Sequence, residues 1–241
     1  MTLQNRTTPL VTVHLWGVPS AAIPRAIARM ATQRAALRRT RGIRFCKLIG
    51  TGSQTFRLRD ADPHHWGIVA AWDDEADARV FELGSVVTAW DRTANEKARF
   101  LLRPISTRGE WSRTRPFEPV EAVLGGVPSG PIAAITRARI RPRRLRTFAK
   151  AAPAVAAAAT GAAGLRLATG IGESPVALQG TFTVWEDNRS LLDFVGGQAH
   201  ARVIGDTDRV GWYTEELFAR FAILQAQGTF RGLAVEANEG L

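Results

Sequence analysis

The sequence predicts an α+β fold made of two tandem ferredoxin-like repeats, each of order βαββαβ. Three observations lead there. Segments of the first half recur in the second in the same order. GIRFCKLIGTG (residues 42–52) aligns with GLRLATGIGES (164–174), and WGIVAAWDDEADARVF (66–81) aligns with QGTFTVWEDNRSLLDF (179–194). Gly42 thereby falls on Gly164, Arg44 on Arg166, Gly50 on Gly172, Trp72 on Trp185 and Asp74 on Asp187. Each half then closes on an apolar strand, ARFLLRPI (98–105) and ARFAIL (219–224).

The elements follow from periodicity and end signals. In the first half, residues 11–16 alternate as a strand, and 23–37 have helical spacing with Pro24 in the first turn. Residues 44–49 and 67–72 are strands, 74–90 a helix capped by Asp73 or Asp74, and 100–105 the closing strand. The second half repeats this order over 133–140, 143–159, 165–171, 180–185, 188–208 and 219–225. Residues 1–105 thus form the first repeat, 106–130 a linker rich in Pro, Gly and Arg, 131–228 the second repeat and 229–241 a C-terminal tail. Two such sheets facing each other make a dimeric-α/β-barrel-type sheet pair, with a cavity between sheet and helices. One chain carries both halves, so it either closes its own barrel or pairs with a second copy as a homo-oligomer.

Composition narrows the function classes. A chain of 241 residues with 45% hydrophobic and 22% charged residues can bury a large core. No apolar run approaches the ~18 residues of a spanning helix, and the alanine tract 154–163 is too short and too weakly apolar. The polar first ten residues carry no apolar signal core, which points to the cytoplasm. Cys46 is the only cysteine, which excludes an intrachain disulfide and a cysteine-bound zinc. The net charge is +10, and only three of the 32 basic residues are lysine. That charge reads as a solvated surface, or as a basic face for anionic lipid head groups or cofactor carboxylates, giving peripheral membrane contact. The densest cluster, RARIRPRRLR (137–146), lacks the interleaved aromatics that stack bases, so nucleic acid is not expected as a partner.

The two halves differ where function is expected. Gly50 and Trp72 are 22 positions apart, but Gly172 and Trp185 only 13, so the first half carries a nine-residue insertion around residues 53–65. Trp72 to Phe100 spans 28 positions and Trp185 to Phe221 spans 36, which leaves eight extra residues after the second-half helix. Fifteen positions beyond each tryptophan stand Val87 and His200. His200 is either a satisfied helix-face histidine or a ligand presented by the break at Gly196-Gly197. It has no His, Asp or Glu at i+3 or i+4, so a lone axial ligand to haem suits it better than a two-histidine facial triad. His14 alternates with Val13 and Leu15 and is expected to point into the barrel as a distal, catalytic group. His64 and His65 are expected in the inserted loop. The seven tryptophans are core residues or line an aromatic cavity. No G-x-S-x-G occurs, and GTGSQT lacks the lysine and spacing of a phosphate-binding loop.

The pieces GIRFCKLIGTGS, AAWDDEADAR, RGEWS, ITRARIR, GIGESP, FTVWED, AHARVI and GWYTEELFARF occur in an order that resembles the spheroidene monooxygenase (acyclic carotenoid 2-ketolase)-like family over nearly the whole chain. That family is related to dimeric α+β-barrel haem proteins. The resemblance implies an oxygen-dependent monooxygenase with haem b, acting on a hydrophobic small molecule and supplied by an electron donor protein. It makes His200, in AHARVI, the iron ligand and Arg137 a partner for a haem propionate. A cofactor-free oxygenase, a dehydratase, and a non-enzymatic carrier of haem or an apolar ligand remain open beside it.

Overall fold

In the computed structural model, the structure describes residues 9–53, 61–119, 129–144, 146–148, 150, 161–173, 180–197 and 211–238. The first half contains β1 (Leu10–Gly17), α1 (Ile23–Arg38), β2 (Ile43–Gly52), β3 (Ala61–Trp72), α2 (Glu75–Glu82), α3 (Ser85–Asp91) and β4 (Glu96–Gly109). The second contains β5 (Ile132–Ile140), β6 (Leu165–Gly172), β7 (Gly180–Trp185), α4 (Asn188–Gly196) and β8 (Tyr213–Phe230). Two short strands, β9 (Leu233–Ala234) and β10 (Ala237–Asn238), pair back onto β8.

The expected strand order is present in each half. The first sheet is β4-β1-β3-β2 and the second β8-β5-β7-β6, all antiparallel. The halves join edge to edge at two seams, β2 with β6 and β4 with β8. Every edge strand of one half is thereby paired by the other, and the eight strands close into a barrel within a single chain. The β4–β8 seam is the longer, running from Ala98↔Gly228 to Gly109↔Leu217.

Strand alternation assigns one set of side chains to the barrel interior and the other to the helices outside. Val11, Val13, Leu15, Val69, Ala71, Phe100, Ile135, Phe182 and Phe221 meet in the interior, a packed apolar core rather than a channel. After β4 the chain folds back and inserts Trp111 and Phe117 into that core, both fully buried.

Three elements depart from the sequence expectation. The helix expected over 74–90 is two helices, α2 and α3, because the chain turns at Gly84, whose extended backbone precedes α3. His64 and His65 lie on β3 rather than in a loop, since β3 starts at Ala61 and pairs with β1 as far as Gly17↔His65. Strand β4 continues to Gly109, so the segment expected to link the halves opens as sheet. Of the helix expected over 143–159, Pro142–Arg144 form a 3-10 turn and residues 146–148 and 150 are helical; the rest, like the expected continuation beyond Gly197, lies outside the described residues. Of the two expected caps, Asp74 takes the role, accepting from Ala76 N at 2.8 Å, and its repeat counterpart Asp187 likewise accepts from Ser190 N at 2.7 Å.

Candidate functional site

Arg137 stands on the interior face of β5, one turn of the pleat beyond Ala133 and Ile135, and closes one barrel mouth. Its guanidinium is 4% exposed and pairs with Glu215 and with Glu173, the latter at 3.2 Å. Lys47 Nζ donates to the other Glu173 oxygen at 2.7 Å, and Trp111 Nε1 donates to Glu173 Oε1 at 2.7 Å. The backbone N–H groups of Ser112 and Arg113, both with positive φ, donate to Glu215. Two successive N–H groups in such a conformation form an anion-binding nest, here filled by a carboxylate of the same chain. Burial acts to raise the pKa of Glu173 and Glu215; the surrounding donors overcome it and hold both carboxyls below the usual range. The guanidinium expected to meet a haem propionate is therefore already matched by two carboxylates, on the barrel-interior side of the sheet.

His14 also differs from expectation. Val11, Val13 and Leu15 take the interior face of β1, so alternation turns His14 outward to the helices. It is 1% exposed, stacks on Trp16, lies edge-on to Phe81 and bonds Glu82 on α2 through Nε2 at 2.5 Å. Arg99 Nη1 approaches the second Glu82 oxygen at 3.0 Å, and Arg99 Nη2 reaches Asp91 at 2.5 Å. His14 thus belongs to an ion-paired layer under α2 and α3 and does not face the barrel core.

At the opposite mouth, His65 bridges two carboxylates: Nδ1 to Asp62 at 2.7 Å and Nε2 to Glu96 at 3.0 Å. Glu96 also accepts from the backbone of Arg231 and Gly232, tying the end of β8 to the start of β4. Burial opposes the imidazolium, but the bonds to Asp62 and Glu96 outweigh it and raise the His65 pKa; Asp62 and Glu96 are lowered in turn, against their own burial.

The clearest asymmetry lies on the helix-facing surfaces of the two sheets. In the first half Trp16, Leu48, Trp66, Ile68, Trp72 and Trp90 fill the layer under the helices. Trp16 stacks on Trp90 at 5.3 Å and donates to Asp91 at 2.7 Å. The second half has the same backbone pairs with different side chains. His14↔Ile68 corresponds to Thr136↔Thr181, and Leu48↔Ile68 to Gly170↔Thr181. Trp16 becomes Ala138, and Ala70 becomes Thr183. The described helix-side cluster of this half contains only Ile132, Ala134, Trp185 and Leu191 as buried members. On the small wall between them the hydroxyls of Thr136 and Thr181 are hydrogen-bonded at 2.6 Å. Aligning the repeats strand by strand, rather than motif by motif, carries the signal for these threonines; attention to histidines alone misses them.

His200 lies outside the described residues. Among the described residues no group of three His, Cys, Asp or Glu side chains is arranged to hold a metal ion. A single axial imidazole does not need such a cluster. No described helix is long and apolar enough to cross a membrane.

A single-chain barrel closed by two edge-to-edge seams is the architecture of the dimeric α+β-barrel class, with both halves fused. Among solved structures, an aldoxime dehydratase in complex with butyraldoxime shares the fold at a TM-score of 0.61 and 12% identity, over 91% of this chain and 81% of that one. No family model matches the chain. A spheroidene monooxygenase of Rhodobacter capsulatus is 34% identical over 215 residues, 88% of this chain and 89% of its own length. That of Rubrivivax gelatinosus is 34% identical over 196 residues, covering 79% and 73%. The chain belongs to the spheroidene monooxygenase family, and it is an oxidoreductase of the monooxygenase type.

Proposed function

We propose that the protein is a haem-dependent monooxygenase of a hydrophobic, carotenoid-like molecule, and that its second half holds the reaction site. The observation that carries this reading is the stripped helix-facing wall, where Trp16, Leu48 and Ile68 of the first half are replaced by Ala138, Gly170 and Thr181. A flat group needs a wall without protruding indole or branched side chains, and this surface fits that requirement. His200 belongs to the same half, and its imidazole would bind the iron if haem occupies this half. Haem b, when bound, supplies the oxygen activation.

The chain's own residues have narrower tasks. The Thr136–Thr181 pair carries two hydroxyl protons and its mutual bond uses one, so the other is available to a group against the wall. Trp185 and Leu191 flank that wall with apolar surface and exclude water from it. Arg137 keeps the barrel mouth closed through Glu173 and Glu215, and this reading does not require it to meet a propionate. One oxygen atom enters the substrate and the other leaves as water, which takes two electrons and two protons from an external donor such as an electron-transfer protein.

The test is the absorption spectrum of purified chain reconstituted with haem, together with oxygen-dependent turnover of an acyclic carotenoid. A Soret band that His200→Ala abolishes, with loss of turnover, is expected. Turnover by haem-free, metal-free protein would favour a cofactor-free oxygenase instead.

A further inference from the structure

The positive charge is concentrated on one end of the barrel. Strand pairing brings to that end the starts of β1, β2 and β8 and the ends of β3, β4 and β5. The corner from α1 into β2 reads RRTRGIR (38–44), and the exit from β5 reads RIRPRR (139–144). Between them lies the segment after β4, with Arg113 and Arg115. Arg44 donates to the carbonyl of Pro116 at 3.2 Å and Arg141 to that of Tyr213 at 3.1 Å, which fixes these segments side by side. Arg38, Arg39, Arg113, Arg115, Arg143 and Arg144 are exposed and make no ion pair with a described carboxylate.

The duplication provides an internal control for a general arginine bias. The repeat counterpart of RRTRGIR is TGAAGLR (160–166), and that of RIRPRR is GVPSAA (17–22). By the repeat's own symmetry these counterparts belong to the opposite barrel end. Arginine enrichment that followed composition alone would load both ends; here both corners of one end are loaded and their counterparts carry one arginine in all. At the far end the described cations are mostly spent internally, as in Arg99 with Asp91, Arg231 with Asp62 and Arg189 with Asp193.

We propose that this arginine-rich end docks on an anionic lipid bilayer. The exposed guanidinium groups outnumber the exposed Asp73, Asp74 and Glu118 carboxylates at the same end, and a band of them matches an extended sheet of phosphate charge. Of the aromatics near this end, Trp111, Phe117 and Trp212 are buried, and the half-buried Phe45 and Tyr213 pack on them, so no exposed ring stands in the band as a stacking platform for bases. The choice of a bilayer over an acidic protein rests on the reading above, because a carotenoid-like substrate dissolves in membrane and not in water. Docking itself needs neither haem nor substrate, so its failure and the failure of that reading are separable.

The test is co-sedimentation of the full chain with vesicles of phosphatidylglycerol and phosphatidylcholine, against vesicles of phosphatidylcholine alone. The wild type is expected to bind the anionic vesicles at least tenfold more tightly than the neutral ones, and to be released by ~0.5 M salt, where charge is screened within a few ångströms. The variant R39Q/R113Q/R115Q/R143Q/R144Q is expected to lose at least tenfold in binding. The variant R25Q/R92Q/R166Q/R189Q, drawn from elsewhere on the surface, is expected to bind within threefold of wild type. R143Q/R144Q alone serves if the larger set does not fold, with a loss of at least threefold. Equal losses in the two large sets, retained binding in the first or in R143Q/R144Q, or no binding of wild type to anionic vesicles would overturn the proposal. Salt-sensitive binding of an acidic electron-transfer protein in place of vesicles would also overturn it.

Discussion

The two halves share a backbone and use it oppositely. In the first half the layer between sheet and helices is solid: Trp16, Trp72 and Trp90 are almost completely buried, and their N–H groups end on Asp91, Thr12 and Gln33. In the second half the sheet positions equivalent to Trp16, Leu48, Ile68 and Ala70 are alanine, glycine and threonine, while Trp185 is kept. Duplication explains how this is tolerated. The closed barrel and the first-half layer bury most of the described core, so the second sheet's helix-facing positions can carry smaller side chains. Position 15 versus 137 shows the reverse exchange inside the barrel. Leu15 packs in the first half, whereas its counterpart Arg137 is charged and needs Glu173 and Glu215 to be buried at all.

Breaking the solid layer tests the comparison with the largest stability effect. Trp16→Ala removes a buried indole, its stack on Trp90 and its bond to Asp91, and is expected to cost about 3–5 kcal/mol. Chemical denaturation measures it. The same residue, alanine, is native at the counterpart position 138, so a loss below about 1 kcal/mol would mean that the first-half layer is not the load the comparison assigns to it.

Arg137→Leu installs the first-half residue at the barrel mouth. It leaves Glu215 with only the more distant, exposed Arg139 at 4.0 Å as cation and Glu173 with Lys47 alone, and is expected to cost about 3 kcal/mol or more. A normal melting temperature with selectively weakened haem binding would instead restore the propionate role to Arg137.

The smallest effect is the pH response of the His65 bridge. Its folded pKa lies above the ordinary value, so its contribution is complete below about pH 6.5 and fades as pH rises through the folded pKa. Asp62 and Glu96 are lowered, so theirs is present above about pH 4.5 and fades as pH falls. Denaturation midpoints are expected to be highest between these limits. His65→Phe should flatten the alkaline limb, and an unchanged alkaline limb would remove the bridge from the account.

Much of this architecture is legible in the sequence because the repeat is written in glycines, tryptophans and caps that the backbone itself requires. Gly42 and Gly164 both adopt positive φ at the same corner, and a Cβ at either would strike Asp77 or Ser190. Asp74 and Asp187 both cap the helices that follow. What the strand pattern alone leaves open is which face an individual polar residue takes. The histidine at 14 has the right alternation for an interior group only until Val11, Val13 and Leu15 are seen to occupy that face. Arg137 reads as an available cation because its partners, Glu173 and Glu215, lie 36 and 78 residues away in the chain. The small-residue wall was present in the alignment of His14, Trp16 and Ile68 with Thr136, Ala138 and Thr181, but smallness is a quieter signal than a histidine.

Ala138→Trp tests the central claim most directly, because it returns the first-half indole to the second-half wall. Haem titration of the folded variant, followed at the Soret band, is the measurement. A melting temperature near that of wild type and at least a tenfold loss of haem affinity are expected. Haem bound as tightly and with the same spectrum as wild type would contradict it, since a flat group could not then lie against that wall.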